Sequence, residues 1–207
     1  MRKIKLQMQL SLDGFVCGPD GEMDWMVWNW DDVLKNYVAE LTNSVDTFLL
    51  GRSTGEGMAV YWPTVTSNPE SNEEEKWMAE RLNNLPKIVF SRTIPHINWT
   101  NVRVASDIVE EVKELKQEPG KDIMIYGGAG IVSSFIRENL IDEYHLFINP
   151  VVIGKGKTIF GDIRHTMKLN LVNITRSTTG IVIFHYIPET ENEINTSLKN
   201  HVYETAN

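Results

Sequence analysis

Four small residues, Gly127, Gly128, Ala129 and Gly130, stand between two apolar patterns of different period. Before them Ile123, Met124, Ile125 and Tyr126 form a run long enough for one buried strand. After them Ile131, Phe135, Ile136 and Leu140 recur at helical spacing. A strand that passes through glycines into a helix leaves backbone N–H groups around a hollow. That hollow suits a phosphate, because the helix N-terminus carries partial positive charge. Glycines also admit an anion where a Cβ would block it. The dinucleotide fingerprint G-x-G-x-x-G is not completed, since Ser133 stands where the third glycine belongs. On this stretch alone, a phosphate cradle and a tight turn without ligand remain equal readings.

Other residues extend the phosphate chemistry. Gly51-Arg52-Ser53-Thr54 follows the apolar run Val45 to Leu50, and Ser91-Arg92-Thr93 follows Lys87 to Phe90. Arginine and hydroxyl groups at a helix start can hold phosphate oxygens. Three carboxylates, Asp24, Asp31 and Asp32, lie among Trp25, Trp28 and Trp30. Asp31 and Asp32 fit ordinary helix capping, and the tryptophans fit a stacking wall or a core or dimer contact. Histidines 96, 145, 165, 185 and 201 are scattered without ligand spacing, so no metal site is expected. Gly154-Lys155-Gly156-Lys157-Thr158 resembles the end of a P-loop, but Val151 replaces the required first glycine.

The elements that position these groups follow from periodicity. Ile4, Leu6, Met8 and Leu10 alternate with polar residues, which predicts a strand with one buried face, ending at Ser11-Leu12-Asp13-Gly14. Asp31-Asp32 opens a helix carrying Leu34, Val38 and Leu41. The helix after Gly51 should be short, since Gly55 and Gly57 are poor helix material and Tyr61-Trp62-Pro63 ends it. Residues 64–76 read as a loop, and Lys76 to Leu85 as a helix. Val102 to Ala105 is a strand, and Ser106 to Gln117 is a helix with Ser106 as N-cap. Asp142 to Val152 is a long apolar run. Lys168 to Thr175 and Ile181 to Tyr186 are antiparallel strands around Gly180. The fold class is α/β, with a mostly parallel central sheet and antiparallel C-terminal edge strands. Ligands on such sheets bind beyond the strand C-termini.

The 207 residues, 42% hydrophobic, fit one domain with a full core. A net charge of −8 argues against nucleic acid or an anionic membrane as main partner, but permits a small anion in a local pocket. Cys17 is the single cysteine, which excludes an internal disulfide and suits a reducing compartment. The N-terminal segment alternates and lacks the continuous apolar core of a secretory signal. A cytoplasmic protein is expected. From Pro188 the chain turns polar and acidic, which reads as an extension adding little to the core.

Taken in order, the four strand ends resemble the dihydrofolate reductase superfamily, in the branch of the C-terminal reductase domain of the bifunctional riboflavin-biosynthesis deaminase/reductase. The matching pieces are Ser11-Leu12-Asp13-Gly14, Leu50-Gly51-Arg52-Ser53-Thr54, Val89-Phe90-Ser91-Arg92-Thr93, Tyr126-Gly127-Gly128-Ala129-Gly130, and the segment from Ile141-Asp142-Glu143 to Gly154-Lys155-Gly156. The resemblance implies a three-layer dihydrofolate reductase-like fold over residues 1–187, with 188–207 as an extension. It implies an NADPH-dependent reductase similar to 5-amino-6-(5-phosphoribosylamino)uracil reductase, acting on a small nitrogen heterocycle or carbonyl substrate. A dihydrofolate reductase proper and a non-catalytic nucleotide-binding relative are the alternatives. For the cofactor, it implies Gly51, Arg52, Ser53 and Thr54 at the pyrophosphate, and Ser91, Arg92 and Thr93 at the ribose 2′-phosphate. Gly127, Gly128, Ala129, Gly130 and Ile131 would wrap the rest of the diphosphate, and Val16 and Cys17 would meet the nicotinamide amide. Trp25 and Asp32 take the substrate side, with Asp32 as a buried acid and Asp31 and Asp24 as other candidates. The family also implies a homodimer through sheet edges, with Tyr144 to Ile153 as the expected contact. Two departures bear on the substrate. Gly55 replaces the aromatic of the folate enzymes, and Tyr61-Trp62-Pro63 stands where aminouracil phosphate reductases carry an Asp-Asn-Pro segment.

Overall fold

A computed structural model describes residues 1–189. Eight strands form one sheet: β1 (Ile4–Leu10), β2 (Val45–Gly51), β3 (Lys87–Phe90), β4 (Val102–Ala105), β5 (Asp122–Gly127), β6 (Glu143–Ile148), β7 (Leu169–Arg176) and β8 (Val182–Pro188). Their order is β4-β3-β2-β5-β1-β6-β8-β7. The first six are parallel to their neighbours, while β6–β8 and β8–β7 are antiparallel. Five helices cover the sheet: α1 (Asp32–Asn43), α2 (Arg52–Ser67), α3 (Glu73–Asn84), α4 (Ile108–Gln117) and α5 (Ala129–Arg137). Val112 and Leu115 of α4 and Phe135 and Ile136 of α5 pack on one face. Residues of α1, α2 and α3 pack on the other, around Phe48, Leu50, Val89 and Phe147. The fold class and three-layer architecture follow the sequence reading.

Central placement changes the meaning of the alternation in β1. Ile4, Leu6, Met8 and Leu10 enter the α4/α5 core. The opposite face is covered as well, with Lys5 and Gln9 half-buried and Lys5 Nζ donating to Ser44 Oγ at the end of α1 at 3.0 Å. Gln7 is buried there, and Lys5 binds Asp122 at 2.9 Å. A layer of covered polar groups, Lys5, Gln7 and Gln9, therefore replaces the expected wet face.

Helix boundaries show three corrections. α2 runs to Ser67, with Pro63 inside it. The proline removes one backbone donor. Hydroxyls of Thr64, Thr66 and Ser67 donate to the carbonyls of Tyr61, Pro63 and Thr64 at 2.7, 3.0 and 3.1 Å, and Val65 is buried. Gly55 has a packing reason to sit in this helix, since a Cβ there would lie 2.8 Å from Val89 Cγ2. α3 starts at Glu73 instead of Lys76, because Asn72 and Glu75 form a capping box. Asp107, not Ser106, caps α4, accepting from the N–H groups of Val109 and Glu110.

The apolar run Tyr144 to Ile153 does not offer a free edge. β6 is hydrogen-bonded to β1 and β8, and the strand stops at Ile148. The sheet edges are β4 and β7. At the other boundary, Pro188 belongs to β8 and the Glu189 N–H donates to Lys168 O at 3.0 Å. The rest of the expected extension, from residue 190, lies outside the described residues. No helix among the described residues is long and apolar enough to cross a membrane.

Candidate cofactor and active site

The four sequence motifs meet at one end of the sheet. β2 and β5 are neighbours, with Leu50 in register with Gly127, so α2 and α5 start side by side. Gly51 caps α2 and Gly128 caps α5, both without a side-chain hydrogen bond. α1, α3 and α4 are capped by Asp31, Asn72 and Asp107. Of the helices that start at this end of the sheet, α2 and α5 are thus the adjacent pair whose first N–H groups have no capping side chain. The closeness of the pair is measurable. A Cβ on Gly128 would lie 3.1 Å from Thr54 Oγ1, and one on Gly51 would lie 3.6 Å from Gly128 N. The Gly127–Gly128 peptide is cis.

Charge at this end also departs from helix chemistry. Neither α2 nor α5 has an acidic residue in its first turn. Arg52 instead begins α2, where the dipole disfavours a cation. Its ion partner is Glu56 at 3.5 Å, and both side chains are about half exposed. An anion between the two helix starts would satisfy the free N–H groups and reconcile Arg52 with the dipole. Ser53 and Gly130 are exposed at the same rim, with Ala129 and Ile131 partly covered.

One strand over, Ser91 shapes the exit of β3. Its Oγ accepts from the N–H groups of Thr93 and Ile94 at 3.1 and 3.2 Å. That turn presents Arg92 and Thr93, both exposed.

The first loop lies across the ends of β1 and β6. Val16 is buried and Cys17 half-buried. The Val16 N–H donates to Lys157 O at 2.8 Å, and Lys157 N–H donates to Cys17 O at 2.9 Å. This leaves the Val16 carbonyl and the Cys17 N–H as the groups able to meet an amide. Ser11 and Asp13 serve as scaffold. Asp13 accepts from Ser11 Oγ at 2.7 Å and from Gly154 N–H at 2.8 Å, and these bonds hold its carboxyl below the usual range.

The three candidate carboxylates separate. Asp31 caps α1 through Leu34 N–H at 3.1 Å. Its other oxygen accepts from Ser177 Oγ, Thr178 N–H and Thr178 Oγ1 at 2.9, 2.8 and 2.8 Å. These bonds, led by the Thr178 hydroxyl, pull its pKa down to about 2. Asp31 is therefore an ionised tie between α1 and the β7–β8 turn. Asp24 is exposed, and Trp25 is half-buried with its Nε1 donating to Glu22 O at 3.2 Å. Asp32 stands in the first turn of α1, at the crevice end, but it is exposed and not the buried acid that was expected.

Asn149 carries a role that sequence reasoning did not assign. It is 0% exposed. It accepts from Val27 N–H at 3.0 Å and donates to Gln9 Oε1 at 2.8 Å, fastening the tryptophan-rich loop to the sheet. A polar residue closing the apolar run, just before Pro150, was the available signal. Above that anchor Trp28 stacks on Trp30 and Trp30 on Phe147, with centroids 6.2 and 6.3 Å apart.

The comparisons agree with this architecture. The model of the RibD C-terminal domain family matches residues 2–183. The chain belongs to that family. It is 36% identical over 187 residues to the uncharacterised protein YyaP of Bacillus subtilis, covering 89% of this chain and 95% of that one. Among solved structures, it is similar to the diaminohydroxyphosphoribosylaminopyrimidine deaminase/5-amino-6-(5-phosphoribosylamino)uracil reductase of Thermotoga maritima, at a TM-score of 0.62 and 19% identity. That match covers 91% of this chain and 57% of the Thermotoga chain. It is also similar to dihydrofolate reductase from Enterococcus faecalis complexed with NADP(H) and RAB-propyl, at a TM-score of 0.56 and 17% identity, covering 91% and 97%. At these identities the two structures establish the fold, which is that of the dihydrofolate reductase-like enzymes. The family is reductase-like.

Proposed function

We propose that the chain is an NADPH-dependent reductase that delivers hydride to a small, flat nitrogen heterocycle or a related carbonyl compound. The observation that carries this reading is the pair of adjacent helix starts, each without a capping side chain, with Arg52 between them and solvent. The residues fit a dinucleotide. Arg52, Ser53, Thr54 and the N–H groups from Gly128 to Ile131 would hold the diphosphate. Arg92, with Ser91 and Thr93, would hold the ribose 2′-phosphate and so favour NADPH over NADH. The Val16 carbonyl and Cys17 N–H offer one acceptor and one donor to the carboxamide. When bound, NADPH supplies the hydride. The similar Enterococcus enzyme, complexed with NADP(H), supports the cofactor, and the similar Thermotoga reductase supports the reaction class.

Reduction of a C=N bond also leaves a nitrogen needing a proton. Asp31 is not free for this, because both of its oxygens are held by Leu34, Ser177 and Thr178. Asp32, one residue on and exposed, is the carboxylate at this helix start able to anchor substrate and relay a proton from solvent. Trp25 would border the substrate. Tyr61-Trp62-Pro63 lies inside α2, nine residues beyond Arg52 and so about 14 Å along the axis. It forms no phosphate loop at the crevice, which favours a substrate without a ribosyl phosphate.

The test is NADPH oxidation, followed by near-UV absorbance, against a panel of pteridines, aminouracils and small carbonyl compounds. The reading expects turnover with a member lacking phosphate. It also expects Asp32→Asn to lower kcat while NADPH affinity stays unchanged. NADPH binding without turnover across the panel would favour a nucleotide-binding protein, and unchanged kcat would remove Asp32 from the mechanism.

A further inference from the structure

The spacing of the histidines gives no hint of a ligand set, but the fold brings two of them together. His145 of β6 is in register with His185 of β8, and Glu143 precedes His145 by two residues. Side chains two apart on a strand share a face, so all three project toward α1. Their ligating atoms lie within 4.8 Å of one another. Glu143 Oε2 is 3.4 Å from Nε2 of each histidine.

The surroundings prepare these atoms for a ligand. The His145 ring is oriented by a hydrogen bond between Nδ1 and Tyr37 OH at 2.7 Å, which leaves Nε2 for the cluster. His185 Nε2 is sealed from solvent without a hydrogen bond of proper geometry. Glu143 keeps its second oxygen on Lys3 Nζ at 2.7 Å, and Lys5 is engaged by Asp122.

We propose that Glu143, His145 and His185 form a binding site for a borderline divalent cation of the zinc type. Two imidazoles and one carboxylate are a zinc donor set, with bonds near 2.0–2.2 Å. A tetrahedral ion with such bonds separates its donor atoms by roughly 3.4 Å, the spacing from Glu143 to each histidine. The Tyr37 hydroxyl on His145 is the outer contact that fixes a ligating imidazole. An ion would also give His185 Nε2 the partner it lacks. One adjustment is required. The two rings are stacked with centroids 4.2 Å apart and 20° between planes, and an imidazole binds metal in its own plane. Binding therefore splays the rings until both Nε2 atoms point at one place.

The site is separate from the crevice. Glu143 stands five residues before Ile148, so it lies about 17 Å from the strand end. Its role is to clamp β6 to β8 and, through Tyr37, to α1.

The experiment uses the full chain stripped with a chelator. Zinc is titrated in competition with a chromogenic chelator, and melting is followed with and without zinc. Cobalt is added in parallel for its visible spectrum. The proposal expects one equivalent bound and a Tm rise of about 5–10 °C at zinc one hundred times its Kd. It also expects a visible cobalt band. His185→Gln and His145→Gln should each abolish all three signals while NADPH affinity is unchanged. Either variant alone suffices if the other does not fold. No stoichiometric zinc binding, or binding and Tm shift that survive in a folded variant, would overturn it. The second result would mean adventitious ligation by other surface histidines.

Discussion

Replacing Arg52 by alanine should separate ligand binding from stability. Arg52 makes one ion pair, with Glu56 at 3.5 Å, and both side chains are about half exposed. An exposed helical pair of this spacing contributes about 0.3–0.5 kcal/mol. Removing a cation from the first turn of α2 returns about the same amount through the dipole. The two effects offset, so the folded state should change by less than about 0.5 kcal/mol. Binding should change far more. A charge-assisted hydrogen bond to a phosphate oxygen contributes about 1.5–3 kcal/mol, which raises Kd by roughly 10- to 100-fold. The loss should shrink as salt rises, because the site is at the surface. A fluorescence titration with NADPH, paired with a thermal melt, reads both quantities. An unchanged Kd in a folded variant would refute the placement of the diphosphate at α2. A large fall in Tm would show instead that Arg52 holds the fold.

Three further outcomes follow from the same geometry. Asn149→Ala leaves the Val27 N–H and Gln9 Oε1 without their partner in a half-buried setting. It should cost about 2–3 kcal/mol by denaturant unfolding and expose the tryptophan loop to proteolysis; a loss under about 0.5 kcal/mol would contradict the anchoring role. Gly156→Ala directs a Cβ into the Cys17 carbonyl oxygen. The first loop must shift, so stability should fall by about 1–3 kcal/mol and NADPH affinity with it; a wild-type melt would refute the contact. Asp31 titrates at about 2 when folded, against an ordinary 3.8. Its stabilising effect is complete above the higher value and is lost as pH falls from about 4 to 2. Asp31→Asn should therefore flatten the acid limb of the stability curve, and an unaltered acid limb would count against the Thr178 and Ser177 bonds.

Local pattern was legible wherever one segment carried its own signal. The run Ile123 to Tyr126, its glycines and the helical spacing after them became β5 and α5. The order of strand ends in sequence identified the fold and the crevice. What sequence missed depends on burial or on distant partners. α2 runs through Pro63 because Val65 is buried and three hydroxyls bind carbonyls of the last turns. Spacing could not separate Asp31 from Asp32, because the hydroxyls that fix Asp31 lie at residues 177 and 178. His145 and His185 meet through strand register alone. The polar row of β1 resembled a wet face because a central strand and an edge strand can share one alternation.

The measurement that tests the central claim most directly is a calorimetric titration of the purified chain with NADPH and with NADH, repeated on Arg92→Ala. The account predicts tight NADPH binding, weaker NADH binding, and a variant that loses NADPH affinity until the two cofactors bind alike. Absence of binding by either nucleotide would contradict it, because two open helix starts and Arg52 would then hold no dinucleotide.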